Sequence, residues 1–183
     1  MKTKRYIITA IDIKTRFAFA YAYKTLSSSS AKDFIQKLEI VAPFGIRAIQ
    51  TDNGAEFAKH FDAYLAERKI THYWNYPNCP KANCYIENFN GLIQRQYVSY
   101  HMDELDDPAE FNQGLISYLL WYNGEKPHRS IGKLPPLLYY VNNFIGSQKS
   151  NMLVAGANCW HGLKNVYNKA WRIFGLLELK LQI

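Results

Sequence analysis

Two short runs near the N-terminus, RYIITAID (5–12) and FAFAYAY (17–23), are rich in β-branched and aromatic residues and are separated only by the polar IKTR. Such a pair reads as a β-hairpin, because strand formers flanking a four-residue polar turn leave the chain little else to do. Everything downstream has to pack on that hairpin. In SSSSAKDF, Ser30 with Asp33 three residues on resembles a capping box, opening a helix with Phe34, Ile35, Leu38 and Val41 on one side. Pro43 and Gly45 close it. IRAIQT (46–51) is a short strand ended by the turn residues DNG. Residues 56–69 place Phe57, Phe61, Tyr64 and Leu65 at helical spacing, and ITHYWNY (70–76) reads as another strand.

PNCPKAN (77–83) is a loop, and from about Asn83 a long helix runs to near His101 with Ile86, Phe89, Ile93, Tyr97 and Tyr100 as its apolar stripe. Asp107-Pro108, followed by Glu110, starts a further helix carrying Phe111, Leu115, Tyr118, Leu119 and Tyr122. Hairpin, helix, strand, helix, strand, helix, helix is the order of an α/β sheet with helices packed on it. Residues 145–183 contain Trp160, Trp171 and a final LELKLQI that alternates like a strand, without a motif.

Composition bounds the function. A chain of 183 residues with 48% hydrophobic and 20% charged residues suits one globular domain. No stretch reaches the roughly 18 apolar residues of a membrane helix. The basic start MKTKRYIITAID has too short an apolar run for a signal peptide, so a cytoplasmic location is the default. Cys79, Cys84 and Cys159 form neither a disulfide framework nor a zinc-site spacing. The net charge of +7 is unevenly placed. Residues 111–183 carry 8 basic and 2 acidic side chains, whereas residues 1–110 carry 14 and 13. A basic surface favours polyanions such as nucleic acid.

The chemistry-bearing stretch is AIQTDNGAEF. Asp52 follows an apolar strand, where open α/β sheets gather functional groups, yet Asp-Asn-Gly is equally a plain turn. Glu87 has Asn83, Asn90 and Gln94 at i−4, i+3 and i+7, a polar stripe beside the apolar one. It lacks a helical Lys or Arg partner, although a solvated glutamate explains it as simply.

In order, TDNGAEF, the Pro-x-x-Asn-x-x-x-Glu-Asn of PKANCYIEN, and YNGEKPHRSIGKLPP resemble the integrase core of insertion-sequence transposases and retroviral-type integrases, over roughly residues 5–141. The resemblance implies an RNase H-like mixed sheet flanked by helices, which cuts and joins DNA with two Mg2+ (or Mn2+) ions held by an Asp-Asp-Glu triad. It implies Asp52 as the second catalytic Asp and Glu87 as the catalytic Glu, separated by 34 residues as the family requires. Lys81, Asn83, Asn90 and Gln94 are then expected to face DNA. Cys84 departs from the usual Gly of that motif, and the resemblance stops after LPPLLYY, leaving residues 142–183 as an extension of unknown role.

The family's first Asp lies in a first strand, within a Trp-x-x-Asp-like segment, and its second strand ends in an Asp-x-x-Thr/Ser-Arg turn. AIDIKTRF resembles that second ending, so Asp12 is expected to shape a turn with Thr15 or Arg16 and not to bind metal. The expectation is an integrase core lacking its first strand and first acid, a mobile-element piece with weakened metal binding and no activity alone. Two alternatives stand beside it, a non-catalytic DNA-binding remnant and an RNase H-like nuclease using Asp12. His128 and Arg129 fit the family's late loop, with a structural role preferred. DNA and a homo-oligomeric partner follow from the resemblance; no membrane partner is expected.

Overall fold

The computed structural model describes residues 4–75 and 80–145, with side chains from Cys84 onward in the second stretch. The chain runs β1 (Tyr6–Ile11), β2 (Ala18–Tyr23), α1 (Ser28–Val41), β3 (Ala48–Thr51), α2 (His60–Glu67), β4 (Thr71–Trp74), α3 (Pro80–Gln96), α4 (Pro108–Gly124) and α5 (Pro136–Tyr140). Short 3-10 turns fill several junctions, and a π-turn spans Val141–Ile145. No helix among the described residues is long and apolar enough to cross a membrane.

β1 and β2 pair antiparallel, Tyr6 opposite Tyr23 through Ile11 opposite Ala18, while β3 and β4 pair parallel, Ala48 opposite Thr71 through Thr51 opposite Trp74. The sequence implied one mixed sheet. Among the described residues the strands form two separate pairs instead. Because Asp12 N–H donates to Phe17 O at 2.7 Å, alternation along an antiparallel pair turns the backbone groups of Ile7, Thr9 and Ile11 to the other edge of β1. No hydrogen bond from the described residues reaches them.

The alternation of FAFAYAY explains how helices cover β2. Its aromatic face meets α1: Phe19 stacks on Phe34, Tyr23 donates to Asp33 Oδ2 at 2.7 Å, and Lys37 lies over the Tyr21 ring. Its alanine face is small enough for α4 to approach the backbone itself. Asn112 accepts from Ala22 N–H at 2.7 Å and donates to Ala22 O at 3.0 Å. Asn123 does the same for Ala18, at 2.9 and 2.8 Å. Two buried side chains thus replace the strand that would otherwise pair with β2's outer edge.

The apolar stripes read from sequence make the core, with Ile35, Leu65, Phe89, Phe111 and Leu115 fully buried; Tyr100, read into the stripe of the long helix, is instead 79% exposed because the 3-10 turn Val98–Tyr100 breaks the helical spacing. Boundaries differ in three places. Ser27, not Ser30, caps α1, accepting from Ser30 N–H at 3.2 Å; the Ser30 hydroxyl is drawn away to Thr25 O. The helix expected over 56–69 is a 3-10 turn (Ala55–Phe57) and then α2, parted by Lys59 at φ 50°. The helix expected from about Asn83 to near His101 runs instead from Pro80, within the segment read as loop, to Gln96, where a 3-10 turn (Val98–Tyr100) takes over. α4 starts as read, with Asp107 accepting from Ala109 N–H at 2.9 Å.

Gly114 lies where α4 meets the turn after α3. A methyl there would overlap the Tyr97 hydroxyl, which donates to Phe111 O at 3.1 Å. The ring is buried against Phe111, Tyr118 and His101 and has nowhere to swing. Overpacking of this kind costs about 1–3 kcal/mol, partly offset by the roughly 1 kcal/mol that Ala gains over Gly in a helix. Gly114→Ala is therefore expected to lower stability by up to about 2 kcal/mol in urea unfolding. Tyr97→Phe in the same chain should recover part of that loss, because the clashing oxygen is gone.

Candidate functional site

β3 delivers Asp52 to solvent at its carboxyl end. Thr51 is buried and its carbonyl accepts from Asn75 N–H at 2.9 Å, so the strand is fixed up to the residue before the acid. Asp52 itself is exposed, and Gly54 N–H donates to its Oδ1 at 3.2 Å. The other carboxylate oxygen has no protein donor among the described residues. Asp-Asn-Gly is thus a turn that leaves one carboxylate oxygen open, so the turn and ligand readings of Asp52 are compatible.

Glu87 is exposed on α3, without a hydrogen bond or ion pair among the described residues. Helical spacing puts Phe89 and Ile93 on the buried side, which orients Glu87 outward. Asn90 is tied to the hairpin, since the Thr9 hydroxyl donates to its Oδ1 at 2.7 Å, leaving its amide N–H groups for another acceptor. Gln94 is exposed. The side chains of Lys81 and Asn83 lie outside the described residues. No contact joins Asp52 to Glu87, and no group of three or more His, Cys, Asp or Glu gathers for a metal among the described residues.

Asp12 is engaged elsewhere. Its Oδ2 accepts from the Thr15 N–H and the Thr15 hydroxyl, each at 2.7 Å, and Arg16 N–H donates to its backbone oxygen at 2.8 Å. This closes the IKTR loop as expected. Arg16 takes the left-handed conformation there (φ 65°), lays its guanidinium 3.8 Å above the Tyr85 ring and donates Nε–H to Ser130 Oγ at 3.1 Å. One residue therefore links the hairpin turn, the start of α3 and the late loop.

In that late loop Arg129 is exposed, whereas His128 packs edge-on against Tyr122 and its Nε2 is buried with no partner among the described residues. Burial, helped by the charges of Lys126 and Arg16, lowers the His128 pKa below its usual 6.5, against a hydrogen bond with the Tyr122 backbone. A histidine held neutral by folding binds its proton more readily when unfolded. Its contribution to stability is therefore complete above pH 6.5 and is lost as pH falls through 6.5 toward the depressed folded value. Denaturant unfolding between pH 7.5 and 5 should show that decline, and His128→Phe should flatten it.

Three positions that the sequence reading passed over complete the surroundings: Thr51, Asp62 and His72. The His72 ring lies between Asp62 and Thr51, directly behind Asp52. The available signal was weak, a histidine inside an aromatic strand and one acid on the preceding helix.

The chain is similar to several known proteins. Two family models, both described as integrase core domain, match residues 1–80 and 68–136. An insertion element IS476 uncharacterized 39.2 kDa protein from Xanthomonas euvesicatoria is 33% identical over 97 residues, covering 52% of this chain and 28% of that protein. The putative integrase ORF3 of Spiroplasma virus SpV1-C74 is 29% identical over 161 residues, covering 79% of this chain and 42% of that protein. The chain thus spans less than half the length of either relative.

Among solved structures, the catalytic core domain of BIV integrase superposes with a TM-score of 0.60 at 16% identity, over 78% of this chain and 90% of that one. The HTLV-2 integrase catalytic core domain in complex with magnesium gives 0.57 at 20% identity, over 73% and 84%. These likenesses establish the RNase H-like α/β fold expected from the sequence. Two overlapping integrase core-domain matches together run from residue 1 to 136, and with the fold of integrase catalytic cores they identify the chain as an integrase core domain.

Proposed function

We propose that the chain is the core domain of a mobile-element integrase or transposase, acting on DNA by metal-dependent cleavage and transfer of phosphodiester strands. The observation that carries this reading is the pair of exposed carboxylates, Asp52 at the end of β3 and Glu87 on α3, without an ion pair among the described residues and in motifs that resemble the family's. Exposed carboxylates with no cation beside them are the hard oxygen donors that Mg2+ or Mn2+ takes, usually along with water and phosphate. Asp52 and Glu87 would hold such an ion. Bound, it would supply Lewis-acid activation of the scissile phosphate.

The protein's own part is to bind and orient DNA. Lys14, Arg129 and Lys133 are exposed charges for phosphates, and the free amide of Asn90 can donate to a phosphate or base edge. Lys81, Asn83 and Gln94 belong to the same proposed surface. With Asp12 held through Oδ2 in its turn and no group of three acids gathered among the described residues, the ligand set supports one ion better than two. The chain is accordingly proposed to have little activity without a further carboxylate, to work as a homo-oligomer and to act in the cytoplasm.

A duplex-nicking assay with Mn2+ or Mg2+ against EDTA tests this. Slow, metal-dependent nicking that Glu87→Gln removes supports the proposal. Steeply salt-dependent DNA binding with no cleavage under any metal favours the binding-only reading. Loss of cleavage on Asp12→Asn, with the fold intact, would give the first ligand back to Asp12 and overturn the two-carboxylate site.

A further inference from the structure

Behind Asp52 runs a line of polar contacts that neither the fold nor the proposed chemistry needs. Asp62 Oδ1, on α2, lies 2.5 Å from Nδ1 of His72 on β4. Nε2 of the same ring lies 2.8 Å from the Thr51 hydroxyl, and that hydroxyl lies 2.9 Å from the backbone oxygen of Asp52. The His72 side chain is 8% exposed and Thr51 is also 8% exposed, so water does not compete along most of the line. Phe61 stands edge-on to the ring and Trp74 tilts against it at 4.3 Å, fixing its plane.

Counting hydrogens gives the line a direction. A carbonyl oxygen only accepts, so the single Thr51 hydroxyl hydrogen goes to Asp52 O. The hydroxyl oxygen is then the acceptor for Nε2–H. The Asp62 carboxylate also only accepts, so Nδ1 carries a hydrogen as well. Thr51 therefore donates to Asp52 O and His72 donates to both Thr51 and Asp62, with Asp62 only accepting.

We propose that Asp62, His72 and Thr51 form a positioning relay that sets the 52–53 peptide, and through it the direction of the Asp52 carboxylate. The reason lies in the turn itself. Asp52 and Asn53 are exposed and have no apolar side chain to anchor them, while a ligand must be held to within about 0.5 Å to be useful. β4 holds the Thr51 main chain through Asn75 N–H, and His72 holds its side chain. The peptide after Thr51 is then restrained from both sides.

The relay does not depend on the proposed function. Only its consequence for metal binding rests on Asp52 being a ligand. The test follows amide exchange at Asn53 and Gly54, together with the ring 15N resonances of His72, in labelled full-length chain. Asp62→Asn is the informative variant, since its side chain is 45% exposed and it touches neither Thr51 nor Asp52. The expected result is His72 with both nitrogens protonated, and exchange at Gly54 about tenfold faster in Asp62→Asn and Thr51→Val. Amides of β1 should not change, and Thr51→Ser should restore the wild-type rate.

Wild-type exchange at Asn53 and Gly54 in both Asp62→Asn and Thr51→Val, or a ring protonated at one nitrogen only, would overturn the relay. A Mn2+ titration followed by line broadening around residue 52 separates the two ideas. Affinity about tenfold weaker in Asp62→Asn supports the relay as a support for the ligand, since partners behind a ligand carry effects of that size. Faster exchange with unchanged affinity would uphold the relay and overturn only its role in supporting the ligand, while Asp52→Asn tests the ligand itself.

Discussion

Replacing Asn112 and Asn123 together by alanine is expected to cost about 4–6 kcal/mol, a large share of the roughly 5–15 kcal/mol that holds a domain of this size together. Each asparagine satisfies both the N–H and the carbonyl of one β2 alanine. Truncation leaves both groups buried and unpaired, at about 1–3 kcal/mol per group before water enters the vacated space. The effects should add. Four residues of strand rise separate Ala18 from Ala22, roughly 13 Å, beyond the range at which neighbouring substitutions usually couple. Asn123→Ala should be the costlier single change, because its amide also donates to Leu119 O. Aspartate is no remedy at either site, since it accepts from the N–H but faces the carbonyl with a buried charge. Urea unfolding measures the loss, and light scattering should show association as β2's edge becomes available. A double variant within 1 kcal/mol of the parent would mean that water seals the edge just as well.

The same asparagines show where reading the sequence succeeds and where it stops. Strand and helix order were legible because period 2 in FAFAYAY and the 3.6 period of Phe89, Ile93 and Tyr97 come from burial, which one element records by itself. Asn112 and Asn123 lie eleven residues apart, three helical turns, and so share a face; nothing local says that a strand edge waits opposite. Ser27 and Ser30 are equivalent as caps until Thr25 O claims one hydroxyl. Lys59 adopts a positive φ without being glycine, so the break before α2 left no residue signature. Asp52 and Glu87 are proposed as site residues from motif spacing, whereas the His72–Asp62 contact becomes visible only when β4 and α2 are brought together.

Asp12 and Asp52 should separate cleanly by substitution, in opposite directions. Asp12→Ala removes the acceptor for a buried threonine's N–H and hydroxyl, each 2.7 Å away, and leaves the N–H unpaired. Caps and turns of this kind lose about 1–2 kcal/mol, so its unfolding midpoint should fall. Arg16 follows directly in that turn, so some loosening of its contact with Tyr85 should accompany the loss. Manganese affinity should stay near that of the parent, because Asp12 is held through Oδ2 by Thr15 within its own loop. Asp52→Asn should do the reverse. Its side chain is exposed and its one protein contact, from Gly54 N–H, can be kept by the amide oxygen, so stability should move by no more than about 0.5 kcal/mol. Metal affinity, read from manganese-induced broadening, should fall by more than about a hundredfold, since even groups behind a ligand typically cost ten- to a hundredfold. Cleavage, where it is measurable, should fall with it. Equal loss of affinity in both variants would make Asp12 a ligand after all; a stable Asp12→Ala chain with parental affinity would instead show that Arg16 and Ser130 hold the turn without it.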